Sequence, residues 1–138
     1  GTIAIEAVSR GAEHVQLCEK DKIKIKTVLD NVSVTEKECG VKIGCHFMAV
    51  ELFLKRCRDK FDFIFFDPPF PYKFRKDLIK SVDKYSLLNP NGTVLIHYPE
   101  EDPLPEKIGN LILTDQRVYG RSLVNFYKKA DANQEVQQ

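Results

Sequence analysis

The chain has 138 residues, a net charge of +1 and 43% hydrophobic residues, which is enough for one domain with a single core. The near-neutral charge excludes a protein that is basic throughout, so a nucleic-acid partner would have to meet basic residues clustered on one face. No apolar run reaches the roughly 18 residues of a membrane-spanning helix. The four cysteines form no C-x-x-C pair, which indicates reduced thiols of a cytosolic protein.

The first part of the chain alternates helical and strand patterns. In chain order, these patterns predict a helix over residues 3–10, a strand over 14–19, a helix over 22–38, a strand over 41–45 and a helix over 48–58. Residues 22–26 alternate like a strand, but we predict a helix there because two parallel strands need a crossover. Gly11 and Gly40 supply the stops for the first two helices.

The second part contains the most apolar strand and ends in a hairpin. The patterns predict a strand over 61–67, a helix over 75–86, a turn over 89–92, a strand over 93–98, an acidic loop over 99–105, and paired strands over 111–119 and 122–128. Strands that alternate with helices predict a doubly wound α/β domain over residues 1–129. We expect a mostly parallel sheet with helices on both faces and one antiparallel strand near an edge. The polar residues 130–138 are expected to form a disordered tail.

The start of the chain has the pattern of a nucleotide-binding turn. A helical pattern follows Gly1 directly, so we expect Gly1 to end a strand–glycine–helix turn whose first strand is missing from this sequence. In nucleotide-binding sheets the glycine lets a ligand approach the backbone, and an acid after the second strand binds ribose hydroxyls. Glu19 lies 18 residues after Gly1, close to the expected spacing, and is a candidate ribose ligand. The alternative is a surface acid in a loop.

The most specific pattern is Asp67-Pro68-Pro69-Phe70, which directly follows an apolar run over residues 63–66. Prolines cannot donate to a strand ladder, so the strand ends here, and ligands of open α/β sheets bind at the carboxyl ends of strands. The Asp67 carboxylate and the Pro68 carbonyl can accept hydrogen bonds from the N–H groups of a planar exocyclic amine and thereby favour a tetrahedral nitrogen. Phe70 offers a ring on which a base can stack. The alternative is an ordinary strand ended by prolines.

These motifs resemble those of known methyltransferases. The D-P-P-F tetrapeptide is similar to the D-P-P-[FYW] hallmark of S-adenosylmethionine-dependent enzymes that methylate amino groups of adenine, guanine, cytosine or glutamine. Residues 1–12 resemble the glycine-to-helix segment of the RsmD family, which methylates N2 of a guanine in small-subunit (16S) ribosomal RNA. Residues 17–21 resemble its second-strand acid motif, and residues 119–122 with 126–127 resemble its terminal hairpin. The resemblance covers essentially the whole chain and implies a Rossmann-like class I methyltransferase.

The resemblance also implies roles for individual residues. The cofactor would be S-adenosylmethionine, bound by Gly1, Glu19, Lys20, His46, Phe47 and Asp67. The target amine and base would lie at the catalytic residues Asp67, Pro68, Pro69 and Phe70. His46 stands where the family usually has an acid beside the adenine, and it is interpreted either as a loop histidine with a packing or solvent role or as a general base. His14 and His97 are interpreted as structural, and no metal site is predicted.

Basic and aromatic residues beside the D-P-P-F loop are the candidates for RNA contact. They are Tyr72, Lys73, Arg75, Lys76, Arg117 and Arg121. Phosphate contacts position a substrate without specifying it, and a solvated helix face is the alternative for each basic residue.

The resemblance predicts an enzyme of the bacterial cytoplasm that acts on ribosomal RNA or on the small ribosomal subunit particle. Two further functions stay open. The same chemistry could serve a DNA-adenine or protein-glutamine methyltransferase, and a chain without its first strand could be a non-catalytic RNA-binding fragment. Family members also carry a basic N-terminal segment and leading glycines ahead of the residue that corresponds to Gly1. We therefore expect the base-binding half of the site to be complete and the cofactor half to lack its beginning.

Overall fold

A computed structural model describes residues 14–130, which divide into two compact units, one ending at Arg56 and the other beginning at Cys57. The predictions for the first helix, for Gly1 and for residues 131–138 lie outside the described residues. Within the described part, none of the helices combines the length and the apolar composition needed to cross a bilayer.

The first unit is a parallel strand pair with its crossover helix. Its elements are β1 (Val15–Cys18), α1 (Lys22–Cys39), β2 (Ile43–His46) and α2 (Val50–Arg56). The register of β1 and β2 runs from Val15 opposite Ile43 to Cys18 opposite His46. Val28 and Val32 are buried against Ile43, since a spacing of four residues puts both valines on one face of α1. The predicted crossover helix is confirmed, because this buried stripe outweighs the strand-like alternation at its start.

Over its described residues, the second unit is a five-stranded sheet with one helix of ten residues. Its elements are β3 (Phe61–Phe66), α3 (Arg75–Lys84), β4 (Leu88–Pro99), β5 (Lys107–Ile108), β6 (Leu111–Tyr119) and β7 (Ser122–Lys129). The sheet order is β3-β4-β7-β6-β5, with β3 and β4 parallel and β7 antiparallel between β4 and β6. Relative to β3 and β4, both β7 in the middle of this sheet and β5 at its edge are reversed, so the sheet has two antiparallel strands where one was predicted near an edge. The short β5 was not predicted, since two residues carry no periodicity.

The core of the second unit lies between α3 and β4. Leu78, Ile79 and Val82 of α3 are buried, together with Val94 and Ile96 of β4. Each of these side chains stabilises the fold by about 1.5–3 kcal/mol when it leaves water. This packing holds α3, and with it the loop that precedes α3, against the strand next to β3.

A polar network occupies the interior next to the same strands. The Tyr98 hydroxyl donates to Asn125 Oδ1 at 2.8 Å, and Gln116 Nε2 donates to the same oxygen at 2.9 Å. Asn125 Nδ2 donates to the Tyr127 hydroxyl at 3.0 Å, which in turn donates to the Pro105 carbonyl at 2.8 Å. Burial is the main cause that raises the pKa of both tyrosines, so each hydroxyl keeps its proton and remains a donor. The network ties β4, β6 and β7 together.

Strand β4 begins earlier than predicted, because the predicted turn over residues 89–92 is a bulge inside the strand. Phe61 pairs with Leu88 and Phe63 with Thr93, so the ladder resumes on both sides of the extra residues. Gly92 is buried in this bulge, and a Cβ at its position would lie 2.9 Å from the carbonyl oxygens of both Asn89 and Phe61. Both obstacles are backbone atoms that cannot rotate away, so the bulge requires glycine here.

Replacing Gly92 by alanine is expected to lower the free energy of unfolding by about 1–3 kcal/mol, the usual cost of overpacking a buried position. Urea unfolding followed by circular dichroism measures this loss. The matched control is Gly120→Ala, since a Cβ at Gly120 would meet nothing within 4 Å and only its positive φ of 59° opposes the change. A loss at Gly92 no larger than the loss at Gly120 would contradict the steric argument.

Candidate active site

The D-P-P-F loop begins where β3 ends beside the longer strand β4. The last residue of β3, Phe66, pairs with Ile96 of β4, so Asp67 leaves the sheet beside His97, which stays in β4 and pairs with Val124 of β7. The Asp67 side chain is 56% exposed, and Phe70 is 50% exposed. A carboxylate and an aromatic ring are thus both open to solvent at the carboxyl edge of the sheet, where ligands of α/β folds bind.

His97 is a site residue that sequence reasoning missed. Its Nδ1 lies 2.9 Å from Asp67 Oδ1, and its Nε2 lies 2.9 Å from Ser122 Oγ on β7. Its ring centroid is 5.6 Å from that of Phe70, at an interplanar angle of 60°. The interpretation of His97 as merely structural is therefore incomplete, since it contacts both functional side chains of the loop. The available signal was positional: His97 lies near the carboxyl end of the strand that pairs in parallel with the strand before Asp67.

Arg75 is buried inside the loop and does not face RNA. Its side chain is 1% exposed, which contradicts the prediction of an RNA contact. Nη1 donates to the Tyr72 carbonyl at 2.6 Å, and Nη2 donates to the carbonyls of Pro69 and Phe70 at 2.9 and 3.2 Å. The physical reason is that a proline-rich loop turns its carbonyls inward, and a guanidinium has enough donors in a fixed fork to satisfy several of them.

A partly exposed acid completes the setting of Arg75. Asp102 Oδ2 accepts from Nη1 at 3.1 Å, and its side chain is 52% exposed. The loop also has its own turn, since the Tyr72 amide donates to the Pro69 carbonyl at 2.9 Å. Among the described atoms, Arg75 Nε is buried without a hydrogen-bond partner. Arg75 therefore fixes the backbone that carries Phe70, because its buried, charged guanidinium donates hydrogen bonds to the carbonyls of the loop.

Two of the other RNA candidates lie on the surface beside the loop. Lys73 and Lys76 are exposed, while Tyr72 is half-buried. The Tyr72 ring meets Phe74 edge-on, with centroids 5.7 Å apart, and Phe74 is 59% exposed. Phe74 is a second exposed ring that sequence reasoning did not single out, although its place between two basic residues could have indicated it.

The remaining candidates lie on the terminal hairpin. Arg121 is exposed in the turn between β6 and β7, and its carbonyl accepts the Glu100 amide at 2.9 Å. Because Ser122 contacts His97, this turn lies beside the D-P-P-F loop. Arg117 is also exposed, but its Nε donates to Asp115 Oδ2 at 3.2 Å. The hairpin thus brings Arg121 to the same edge of the sheet as Asp67.

The first unit places the predicted ribose ligand at the carboxyl edge of its own strand pair. Glu19 directly follows β1, and its amide donates to the His46 carbonyl at 2.9 Å, across the end of β2. One carboxylate oxygen, Oε2, accepts the Asp21 amide at 3.3 Å, which restrains the side chain. Lys20 beside it is exposed. A carboxylate accepts several hydrogen bonds, so Glu19 retains capacity for the two hydroxyls of a ribose.

His46 has a packing role within the first unit. It is the last residue of β2 and not a loop residue, and its Nε2 lies 2.5 Å from Gln16 Oε1. Its ring packs on Phe53 with centroids 4.6 Å apart. Gln16 Oε1 can only accept, so Nε2 carries the proton and donates it. These contacts agree with the packing interpretation rather than with a general base.

Two side chains of the first unit, Glu19 and Phe47, suit an adenosine. Phe47 follows His46 and is 38% exposed, so an apolar ring lies one residue beyond the strand end that Glu19 contacts. An acid suits ribose hydroxyls, and a ring face suits the adenine base. Glu19 and Phe47 therefore match the adenosine part of S-adenosylmethionine, whereas Gly1 lies outside the described residues.

Comparison with known proteins identifies the family of the chain. The model of the family described as conserved hypothetical protein 95 matches residues 1–128. A relative from Bacillus subtilis (strain 168), named "Putative rRNA methyltransferase YlbH", is 34% identical over 131 residues, which cover 94% of this chain and 71% of the relative. Ribosomal RNA small subunit methyltransferase D of Haemophilus influenzae is 27% identical over 106 residues, which cover 75% of this chain and 54% of that protein.

A solved structure shows the same architecture. The crystal structure described as "putative methylase HI0767 from Haemophilus influenzae" superimposes with a TM-score of 0.81 at 25% identity, covering 95% of this chain and 81% of that one. The Rossmann-like fold of class I methyltransferases, predicted from the sequence, is confirmed. The chain belongs to the conserved hypothetical protein 95 family, which is the RsmD family that its motifs resemble.

Proposed function

We propose that residues 1–129 form a methyltransferase domain that methylates the exocyclic N2 amine of a guanine in 16S ribosomal RNA, with S-adenosylmethionine as the donor. The observation that carries the proposal is the pair of exposed groups at the end of β3, the Asp67 carboxylate and the Phe70 ring. The names of the two relatives, which are those of rRNA methyltransferases, support ribosomal RNA as the substrate class. The enzyme would act in the bacterial cytoplasm, on free RNA or on the small ribosomal subunit particle.

The cofactor would be held by residues that follow β1 and β2. Glu19 accepts the ribose hydroxyls, with Lys20 beside it, and Phe47 offers its ring and its backbone N–H to the adenine. When bound, S-adenosylmethionine supplies a methyl group on a positively charged sulfur, which keeps the bonding electron pair as the methyl leaves. No metal and no covalent enzyme intermediate enter this mechanism.

The target amine would be oriented by the D-P-P-F loop. The Asp67 carboxylate and the Pro68 carbonyl accept hydrogen bonds from its N–H groups and thereby turn the nitrogen lone pair out of the plane of the base. The clamp of Arg75 on the Pro69 and Phe70 carbonyls keeps this loop in place, so the acceptors need no reorganisation during the reaction. Stacking of the extruded guanine on Phe70 would add roughly 1–3 kcal/mol of binding energy.

The RNA backbone would be positioned by the exposed basic residues around the loop. These are Lys73 and Lys76 beside the D-P-P-F segment, and Arg117 and Arg121 on the hairpin. Tyr72 and its edge-on partner Phe74 add aromatic surface for an unpaired base. Arg75 has no part in this surface, because its guanidinium is buried. Binding through phosphates would weaken steeply as the salt concentration rises.

Transfer of labelled methyl groups tests the proposal directly. The protein is incubated with labelled S-adenosylmethionine and, separately, with 16S rRNA, small-subunit particles, DNA and protein, and the products are digested and separated. Label in N2-methylguanosine from ribosomal RNA is the expected result. Label in N6-methyladenine of DNA or in N5-methylglutamine would replace the proposal with another amino-methyltransferase. Salt-sensitive RNA binding without cofactor binding would instead identify a non-catalytic module.

Replacing Glu19 by glutamine is expected to raise the dissociation constant for S-adenosylmethionine at least tenfold, because a charged acceptor of ribose hydroxyls becomes a neutral one. The turnover number at saturating cofactor should change by less than about threefold, since Glu19 does not touch the amine. Calorimetric titration measures the first quantity. Glu38→Gln, an exposed acid on α1, is the matched control and should bind the cofactor like the wild type. Unchanged affinity in the Glu19 variant would remove Glu19 from the cofactor site.

A further inference from the structure

Asp67, His97 and Ser122 form a hydrogen-bonded row at the edge of the sheet. Asp67 directly follows β3, His97 lies near the carboxyl end of β4 and Ser122 begins β7, so the row joins the D-P-P-F loop to the terminal hairpin. The imidazole contacts the carboxylate through one oxygen, Oδ1, at 2.9 Å. Ser122 Oγ also lies 3.1 Å from the Tyr119 carbonyl. The row therefore has one hydroxyl proton and two acceptors that compete for it, His97 Nε2 and the Tyr119 carbonyl oxygen.

Counting protons along the row gives two consistent states. If the Ser122 hydroxyl donates to Nε2, the imidazole is neutral and its proton is on Nδ1, where it is donated to Asp67. If the hydroxyl donates to the Tyr119 carbonyl, Nε2 carries a proton for Ser122 Oγ, and the imidazole with both protons is cationic. In both states Nδ1–H is donated to Asp67 Oδ1. Rotation of one hydroxyl therefore lets His97 gain or lose a proton without releasing the carboxylate.

We propose that His97 is a positioning residue that reserves one oxygen of Asp67 for the substrate and tunes that oxygen by its own charge. This inference rests on the proposed function. Because Nδ1–H occupies Oδ1, the remaining oxygen, Oδ2, is the one that meets the target amine. Because the hydrogen bond also stops the carboxylate from rotating, Oδ2 keeps one direction toward the amine.

The charge of His97 matters for the proton that methylation releases. The lone pair of the amine nitrogen forms the new bond to carbon, and the nitrogen is left with a positive charge and one proton too many. Asp67 Oδ2 takes this proton while the N–H electron pair stays on nitrogen, and the 56% exposed carboxyl then loses the proton to water. A cationic His97 opposes protonation of its neighbour, whereas a neutral His97 permits it.

The pH dependence of the reaction should therefore follow the charge of His97. Asp67 is the charged side chain that faces the imidazole from β3; Ser122 faces it from β7 and Phe70 from the loop, and neither carries a charge. Glu100 follows β4 and Arg121 precedes β7. Both are exposed, and the Glu100 amide donates to the Arg121 carbonyl. The turnover number should therefore rise with pH as the imidazole gives up its proton.

Variants of His97 separate positioning from mere support of the fold. His97→Asn can keep an N–H donor near the position of Nδ1 but cannot titrate, whereas His97→Leu removes both the donor and the charge. The leucine variant is expected to lose roughly 10- to 100-fold in turnover number, as expected for a misplaced catalytic group. Its dissociation constant for S-adenosylmethionine should stay within about twofold. The asparagine variant should recover most of the turnover and lose the rising limb of the pH profile.

A second measurement needs neither cofactor nor RNA. Nitrogen-15 NMR of the imidazole reports which ring nitrogen carries the proton in the neutral form, and the row requires Nδ1–H for His97. Asp67→Ala should shift the population toward the Nε2–H form. Three results would overturn the inference: an Nε2–H form in the wild type, no response to Asp67→Ala, or an asparagine variant that keeps the wild-type pH limb. Absence of methyl transfer to every substrate, with the NMR result as expected, would count against the proposed function and leave the row intact.

Discussion

Replacing Asp67 by alanine is expected to lower the turnover number about 100- to 1,000-fold, the usual loss when a preorganised hydrogen-bonding group is removed from the reacting atoms. In the proposed mechanism, Asp67 Oδ2 both orients the amine and receives its proton. The dissociation constant for S-adenosylmethionine should rise by less than about threefold, because the proposed cofactor site is formed mainly by Glu19 and Phe47. Single-turnover kinetics and calorimetry measure the two quantities separately.

Two controls sharpen the Asp67 result. Asp30→Ala removes an exposed acid from α1 and should leave both quantities at wild-type values. Asp67→Asn keeps one oxygen as an acceptor but loses the negative charge, so its turnover should fall between those of the wild type and the alanine variant. If Asp67→Ala and Glu19→Gln weaken cofactor binding equally, with no larger loss of turnover at Asp67, the division of roles between the two acids is wrong.

Replacing Arg75 by methionine is expected to lower the free energy of unfolding by about 2–4 kcal/mol, because hydrogen bonds to a buried charged group contribute more than neutral ones. The change leaves the carbonyls of Phe70 and Tyr72 without the guanidinium donor, and leaves the Pro69 carbonyl with the Tyr72 amide alone. Among molecules that stay folded, turnover should fall at least tenfold, since the loop would no longer hold Asp67 and Phe70 in place. Urea unfolding measures the loss of stability, and kinetics at urea concentrations well below the unfolding midpoint measure the loss of turnover.

Neighbouring variants distinguish the clamp from a simple charge effect. Arg75→Lys keeps the charge but has no planar fork to reach three carbonyls, so it should recover less than half of the lost stability. Lys76→Met removes an exposed charge next door and should change stability by less than about 0.5 kcal/mol. An Arg75→Met variant as stable as Lys76→Met, or an Arg75→Lys variant as stable as the wild type, would show that the fork is not needed.

The D-P-P-F loop shows how far the sequence alone can lead. The apolar run followed by an acid and two prolines predicted both the end of β3 and the position of Asp67 at the carboxyl edge, because those residue types restrict hydrogen bonding wherever they occur. The crossover α1 and the terminal hairpin were predicted in the same way. Each of these predictions depends on local chemistry or on a short spacing.

The errors arose where a contact exists only once the chain has folded. Arg75 was predicted to be a surface residue because a guanidinium usually is, and only the folded loop reveals three inward carbonyls that need its donors. His97 was underestimated because its contact with Asp67 depends on the register of β3 and β4, across 30 residues of sequence. The bulge over residues 89–92 was predicted as a turn because its residues favour turns, while the pairing on both sides is a property of the sheet.

The Arg75 clamp has a consequence for how the second unit moves. The guanidinium belongs to the first turn of α3, whose apolar face is part of the core, and it holds the loop before α3 and the acidic turn after β4 at once. Opening the loop alone would leave the Arg75 guanidinium, a buried charge, without the loop carbonyls that it binds, which is strongly unfavourable. The loop therefore has no inexpensive local fluctuation of its own. Its opening is coupled to loosening of the helix, so any adjustment of the loop to a bound base must come from side-chain rotation rather than from movement of the backbone.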